Sequence, residues 1–339
     1  MSDATTTTTT IGDSQERRSR ERIPSGWRVI AGKEFTDHIL SIRFLILMLL
    51  FALIAAFAVY TVSGSIRDAA SAATGRNDLF LLLFTFSPSG NDEFGLSYLA
   101  IVAFLGPLIG IAFGFDAVGS ERSEGTLPRL VAQPIHRDDV VNGKFVAALA
   151  VVAMILAAVM LIIAGVGLVR LGVVPSLDQV LRLLAWYLFA LLYVGIWLAF
   201  ATLGSVVSKS AATAALATIS VWLVMTVFWD RIVGLIVGVL APGTGGTAAE
   251  QLGRDALHGN LSRISPSYLF QEVSAYLLDP GIRFIGLITR DQADRLVPAP
   301  LPFGQSLLLI WPQGVLMVAE AVICFAAAYI VFMRQEVRA

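Results

Sequence analysis

Charge is scarce in this chain, and so are the side chains that carry most chemistry. Asp, Glu, Lys and Arg make up 14% of the 339 residues, against about a quarter in soluble domains. Mean hydropathy is +0.76. Such a balance excludes an ordinary water-soluble globule and places the protein in a membrane. The single cysteine, Cys324, lies in an apolar run, which rules out a disulfide framework and a cysteine-based metal site. Of the three histidines, His38, His136 and His258, none falls inside an apolar segment. That removes His-ligated metal chemistry within the bilayer and most His-assisted intramembrane proteolysis. With a net charge of −1 and no long basic patch, nucleic acid is not a partner. A phosphate cradle is missing too. Gly32-Lys33 and Gly143-Lys144 lack the upstream glycine and the following Ser or Thr of a Walker-type loop, so no nucleotide, and no other cofactor, is expected on this chain. Apolar residues begin only near Phe44, after a threonine tract and the cluster Arg17, Arg18, Arg20 and Arg22, so no cleavable leader is read. Residues 1–22 read as a disordered tail.

What is present is a set of long apolar runs. Residues 44–62, 96–115, 145–169, 183–208, 210–229 and 312–333 are each nearly free of charge. About 20 residues at about 1.5 Å each cover a hydrocarbon core of about 30 Å. Backbone polar groups cannot be left bare in lipid, so the segments must be helices. The expected fold is all-α integral membrane, with six transmembrane helices and a long external loop, 230–306, between the fifth and sixth. Ahead of the first span, Trp27, Ala31, Phe35 and Ile39 recur at four-residue spacing, with Lys33, Thr36 and Arg43 opposite. This predicts an amphipathic helix in the inner interface. Residues 79–86 are apolar but too short to span, and read either as a membrane-dipping segment or as a packed strand. Ser265-Pro266 predicts a helix start, running to about Leu278 before Asp279-Pro280-Gly281. Residues 301–311, bounded by Pro302 and Pro312, read as a separate dip into the outer leaflet. Gly106-Pro107 predicts a kink, as a gating hinge or as packing, and Gly165 and Gly167 read as close-packing positions.

Lys and Arg in the flanks set the orientation. With the N-terminus inside, fourteen basic residues fall on the cytoplasmic side and ten outside. The short flanks, which weigh most, carry the bias, so both termini are expected in the cytoplasm of a multi-pass cell-membrane protein.

The polar insert between the second and third spans, 116–144, stands out against this background. It contains Asp116, Glu121, Glu124, Gly125, Thr126 and Leu127, then Pro134, Arg137 and Lys144 in Gly143-Lys144-Phe145. A polar segment held at the membrane face between two spans can receive a push from a partner. The insert resembles the first cytoplasmic loop of ABC-2 type transporter permeases. The run Ala31-Gly32-Lys33-Glu34-Phe35 with Arg43-Phe44, the stretch Ser265-Pro266-Ser267-Tyr268, and the tail from Ala327 to Arg338 are similar to the same family. The resemblance implies a non-enzymatic transmembrane domain over 23–339, paired with a second permease subunit and an ABC ATPase dimer that binds ATP and Mg. It implies that residues 116–144 form the coupling loop.

Glu320 is the one acid deep within a span, where it costs roughly 2.5–3.5 kcal/mol on insertion scales. It must therefore face protein or a water-filled path, either as a working group or as a protonated acid bonded to a neighbouring helix. An ion-coupled secondary transporter is the alternative reading, but that class places several ionisable groups within its spans.

Overall fold

The computed structural model describes residues 26–72, 79–85, 97–119, 136–172, 174–241, 248–279 and 301–335. All regular structure among them is helical. In chain order the helices are α1 (Gly26–Ile39), α2 (Ile42–Ala72), α3 (Leu79–Thr85), α4 (Tyr98–Gly114), α5 (Arg137–Leu171) and α6 (Leu177–Val207). Then come α7 (Ala211–Leu223), a π-helical turn (Val224–Phe228), α8 (Trp229–Leu240), α9 (Ala248–Ser262), α10 (Pro266–Leu278) and α11 (Phe303–Arg334). Among the described residues, α5, α6, the continuous α7–α8 and α11 are long and apolar enough to cross a membrane. Counting α1 with α2 as one broken segment, bent by 62°, makes five. The helix at the predicted second span, α4, has 17 residues, about 26 Å.

Local chemistry sets several helix ends. Ser97 accepts from the Ala100 N–H at the start of α4. Ser176 and Gln179 close a reciprocal capping box at the start of α6. Gly172, at φ 65°, ends α5 in the left-handed region that glycine tolerates. The Ser208-Lys209-Ser210 break separates α6 from α7, with Ser210 capping the latter.

Several boundaries fall elsewhere than the sequence places them. Leu79–Thr85 of the apolar octet form a helix with Phe80, Leu81, Leu83 and Phe84 buried, which decides against a strand. The fifth apolar segment does not stop at Trp229. It passes through the π turn and continues to Leu240, with Asp230 and Arg231 exposed and Asp230 Oδ1 3.6 Å from His258 Nε2 of α9. Pro312 does not separate a dip from the last span. It sits on the exposed side of one unbroken α11, where its ring replaces one intrahelical N–H donor without ending the helix. Gly167 packs against Leu83 of α3, as a close-packing position should, whereas Gly165 has open space around it.

The central helix is α6, which contacts α4, α5, α7, α10 and α11. Trp186, Ala190, Tyr193, Val194, Trp197 and Leu198 are all buried along it. Outside this core the pattern inverts. Leu45, Leu49, Leu53 and Phe57 on α2, Leu216 on α7, and Trp311, Val315 and Ile323 on α11 are exposed. A water-soluble surface rarely carries apolar patches of that extent; a lipid-facing one does.

Candidate functional site

Both described chain ends lie at the same end of the bundle, and the polar insert leaves from and returns to it. Of the predicted coupling residues, Asp116, Arg137 and Lys144 are described. Glu121, Glu124, Gly125, Thr126, Leu127 and Pro134 lie outside the described residues.

The chain leaves α4 under three restraints. Asp116 pairs with Arg43 of α2, whose guanidinium also lies 5.3 Å from the centre of the Phe115 ring. The N–H groups of Val118 and Gly119 both donate to Ser205 Oγ, at 3.1 and 3.0 Å. Ser205 is almost fully buried near the end of α6. The chain returns at His136, and Asp138 and Asp139 occupy the first turn of α5, where the helix dipole favours acids. Arg137 donates to the Gln335 carbonyl at 3.1 Å and lies 6.0 Å from the Phe332 ring centre. Gln335 in turn donates through Nε2 to the Val206 carbonyl at 2.8 Å. Beneath these bonds Val118, Val141, Val206 and Phe332 form a small buried cluster. The exit, the return, the end of α6 and the end of α11 thus share one base.

Gly143-Lys144-Phe145 acts residue by residue. A Cβ at Gly143 would come 2.8 Å from Ile30 and 2.9 Å from the Trp27 carbonyl, so glycine lets α1 lie against α5. Lys144 bonds Glu34 of α1 at 3.1 Å, with 9% and 13% of the two side chains exposed. Phe145 meets Phe325 of α11 with ring centres 4.5 Å apart. Lys144 is therefore turned into the protein and clamps α1. The predicted stripe of Trp27, Ala31, Phe35 and Ile39 is the covered face of α1, and it also includes Ile30, Glu34 and His38, whose ring meets Phe113 edge-on.

Removing one partner of a buried ion pair costs about 3 kcal/mol or more, and here the exposed Lys33, 3.7 Å from Glu34, would offset only part of it. Lys144→Met should therefore lower the melting temperature of the purified protein markedly. The double variant Glu34→Gln/Lys144→Met should recover most of the loss. Equal melting temperatures for Lys144→Met and wild type would show that the pair does not hold α1.

Glu320 lies at the middle of α11, with its Oε2 buried and without a hydrogen-bond partner among the described residues. Sequence reasoning missed Ser205, Glu34, Gln335 and, at the opposite end, Arg182. Glu34 carried a signal, since it falls within the apolar stripe of α1. Ser205 carried none, because a serine near a helix end is commonplace.

A family model described as ABC-2 family transporter protein matches residues 28–337, from α1 to just past α11. No curated protein matches the chain.

Proposed function

Because the chain belongs to the ABC-2 family of transporter proteins, we propose that it is the membrane-spanning permease of an ATP-driven exporter whose ATPase is a separate subunit. The reading places it in the cell membrane with both termini in the cytoplasm and six spans, α4 being the second. It pairs two permease subunits, identical or different, with an ATPase dimer that holds ATP and Mg. The observation that carries it is the shared base of the insert. A force applied to residues 120–135 reaches α6 through Ser205, α5 through Arg137 and α11 through Gln335. The lack of a phosphate-binding loop in the sequence supports a separate ATPase. The course of the chain beside α6, from Gly106 in α4 on to Gly119 past its end, supports a full crossing despite the length of α4.

The test is co-expression with a neighbouring ATPase gene. Complexes carrying Glu121→Ala or Gly125→Val should assemble but lose most of their substrate-stimulated ATP hydrolysis. In a Cys324→Ser background, Leu130→Cys and Lys209→Cys should be shielded from an impermeant external reagent and His258→Cys labelled. Normal transport by both loop variants, or external labelling at position 130, would overturn the reading.

A further inference from the structure

A cleft of about 420 Å³ opens between α8 and α9, within the range of about 300–1,000 Å³ usual for ligand sites. Gly234 and Val237 of α8 form its floor, and Gln251, Arg254, Asp255 and His258 of α9 form its wall. Two contacts close one end. Trp229 Nε1 donates to the Leu261 carbonyl at 3.2 Å, and Asp230 Oδ1 lies 3.6 Å from His258 Nε2. The floor itself is open, since a Cβ added at Gly234 or at Gly238 would meet nothing within 4 Å.

Helical spacing orders the wall. Gln251 with Asp255, and Arg254 with His258, stand four residues apart and are neighbours on one face of α9. That face therefore presents a carboxylate and a guanidinium side by side. A bare anion would meet Asp255, with Asp230 just beyond His258, and a bare cation would meet Arg254. Among the described residues, no three His, Cys, Asp or Glu side chains are grouped to hold a metal ion. A ligand with one charge of each sign satisfies both halves of the wall. An ammonium donates to Asp255 and to the Gln251 amide oxygen, and a phosphate accepts from the Arg254 fork.

Depth in the membrane points to the source of such a ligand. From Ala211, α7, the π turn and α8 run on for 30 residues, about 45 Å, of which a hydrocarbon core takes up about 30 Å. With Ala211 at one edge of that core, Gly234 and Val237 stand about 35 and about 39 Å along the helix, at the level of the lipid headgroups. Leu235, Val239 and Leu240 flank the cleft on α8 and are exposed. Apolar side chains at that level gain from an apolar neighbour, and the glycerol and upper chain of a lipid supply one.

We propose that the cleft between α8 and α9 binds the headgroup of a zwitterionic aminophospholipid such as phosphatidylethanolamine. The phosphate lies on Arg254, the ammonium on Asp255 and the glycerol against Leu235 and Val239. Under the orientation proposed above the lipid belongs to the outer leaflet, and only that assignment rests on the permease reading.

The probe is phosphatidylethanolamine with a diazirine high in one acyl chain, photolysed with the full-length protein in phosphatidylcholine nanodiscs. Labelled peptides are mapped by mass spectrometry. Label is expected on α8 and α9, displaced by unlabelled phosphatidylethanolamine and about tenfold less well by phosphatidylglycerol, which lacks the ammonium. Arg254→Gln and Asp255→Asn should each reduce the label about tenfold. Gly234→Leu, which fills the floor, should abolish it, and all three should keep the wild-type size-exclusion profile. Label that avoids α8 and α9, label unchanged in Gly234→Leu, or equal displacement by phosphatidylglycerol would overturn the proposal. Equal displacement by soluble phosphoethanolamine or by a disaccharide would overturn a lipid as the ligand. Nanodiscs expose both membrane faces, so label in the cleft with His258→Cys shielded in cells would leave this site standing and reverse the orientation instead.

Discussion

Gly110→Leu should yield no stable folded protein, and even Gly110→Ala should lower the melting temperature, whereas Gly165→Ala should raise it slightly. The difference lies in what each added carbon meets. A Cβ at Gly110 would stand 2.6 Å from the Val194 carbonyl and 3.0 Å from the Leu198 nitrogen, both backbone atoms of α6. Backbone cannot swing aside as a side chain can. Gly106 and Gly114 continue the same contact, the latter with Ala201 and the Leu198 carbonyl at 2.7 and 2.9 Å. Three glycines at four-residue spacing thus form a groove in α4 into which α6 sits. Small residues drive such contacts in membranes, where apolar burial offers no net gain over lipid. Overpacking a tight core costs about 1–3 kcal/mol for one or two carbons, and a leucine adds four. By contrast, Gly165 has nothing within 4 Å, and Ala gains roughly 0.5–1 kcal/mol over Gly in a helix interior. Thermal unfolding followed by fluorescence size exclusion would measure all three variants. Equal behaviour of Gly110→Ala and Gly165→Ala would show that α4 and α6 are not in backbone contact.

How far the sequence could be read follows the same division between local and non-local causes. Ser265-Pro266 and Ser208-Lys209-Ser210 marked real boundaries because capping and helix breaking depend on neighbours in the chain. The stripe of α1 was legible because its period is local. The passage through Trp229 to Leu240, and through Pro312, was not. There the outcome depends on contacts with other helices, such as that of Asp230 with His258 of α9, which only packing decides. The glycine groove of α4 was open to reading from spacing alone, since Gly106, Gly110 and Gly114 recur every fourth residue, but its partner α6 was not. At the site, Glu320 was legible because an acid inside an apolar run is conspicuous. Arg137 and Lys144 were found, yet their contacts with Gln335 and Glu34 join segments over a hundred residues apart. No pattern within the insert could supply those partners.

Arg182 is one of the ten basic residues that the sequence places outside, and among the described charged residues it has the largest expected effect. It is wholly buried. Its Nε donates to Asp178 at 2.6 Å, one helical turn earlier. Nη1 reaches the Leu277 carbonyl at 3.3 Å and Ser306 Oγ at 3.0 Å, and Nη2 donates to the Leu301 carbonyl. One guanidinium therefore ties α6 to the last turn of α10, to the chain entering α11 and to the first turn of α11. Asp178 also accepts from the Phe303 N–H, so it holds the start of α11 a second time. Half of the Asp178 side chain is exposed, so the ion pair itself contributes little. The cost of losing Arg182 lies in the carbonyls it serves. Hydrogen bonds to a charged donor are worth about 1.5–3 kcal/mol each, and a buried acceptor left alone costs a similar amount. Even with partial relaxation, Arg182→Ala should destabilise the protein by about 4 kcal/mol, within the range for breaking a buried charged network. Arg182→Lys should recover little, because a compact ammonium cannot span acceptors that a planar fork reaches together. The loss should be local first. Proteolysis of the purified protein in nanodiscs should cut between α10 and α11, in residues 279–302, well before the rest of the bundle opens. If Arg182→Ala retained the wild-type melting temperature and cleavage pattern, the guanidinium would not be what fastens α10 and α11 to the central helix.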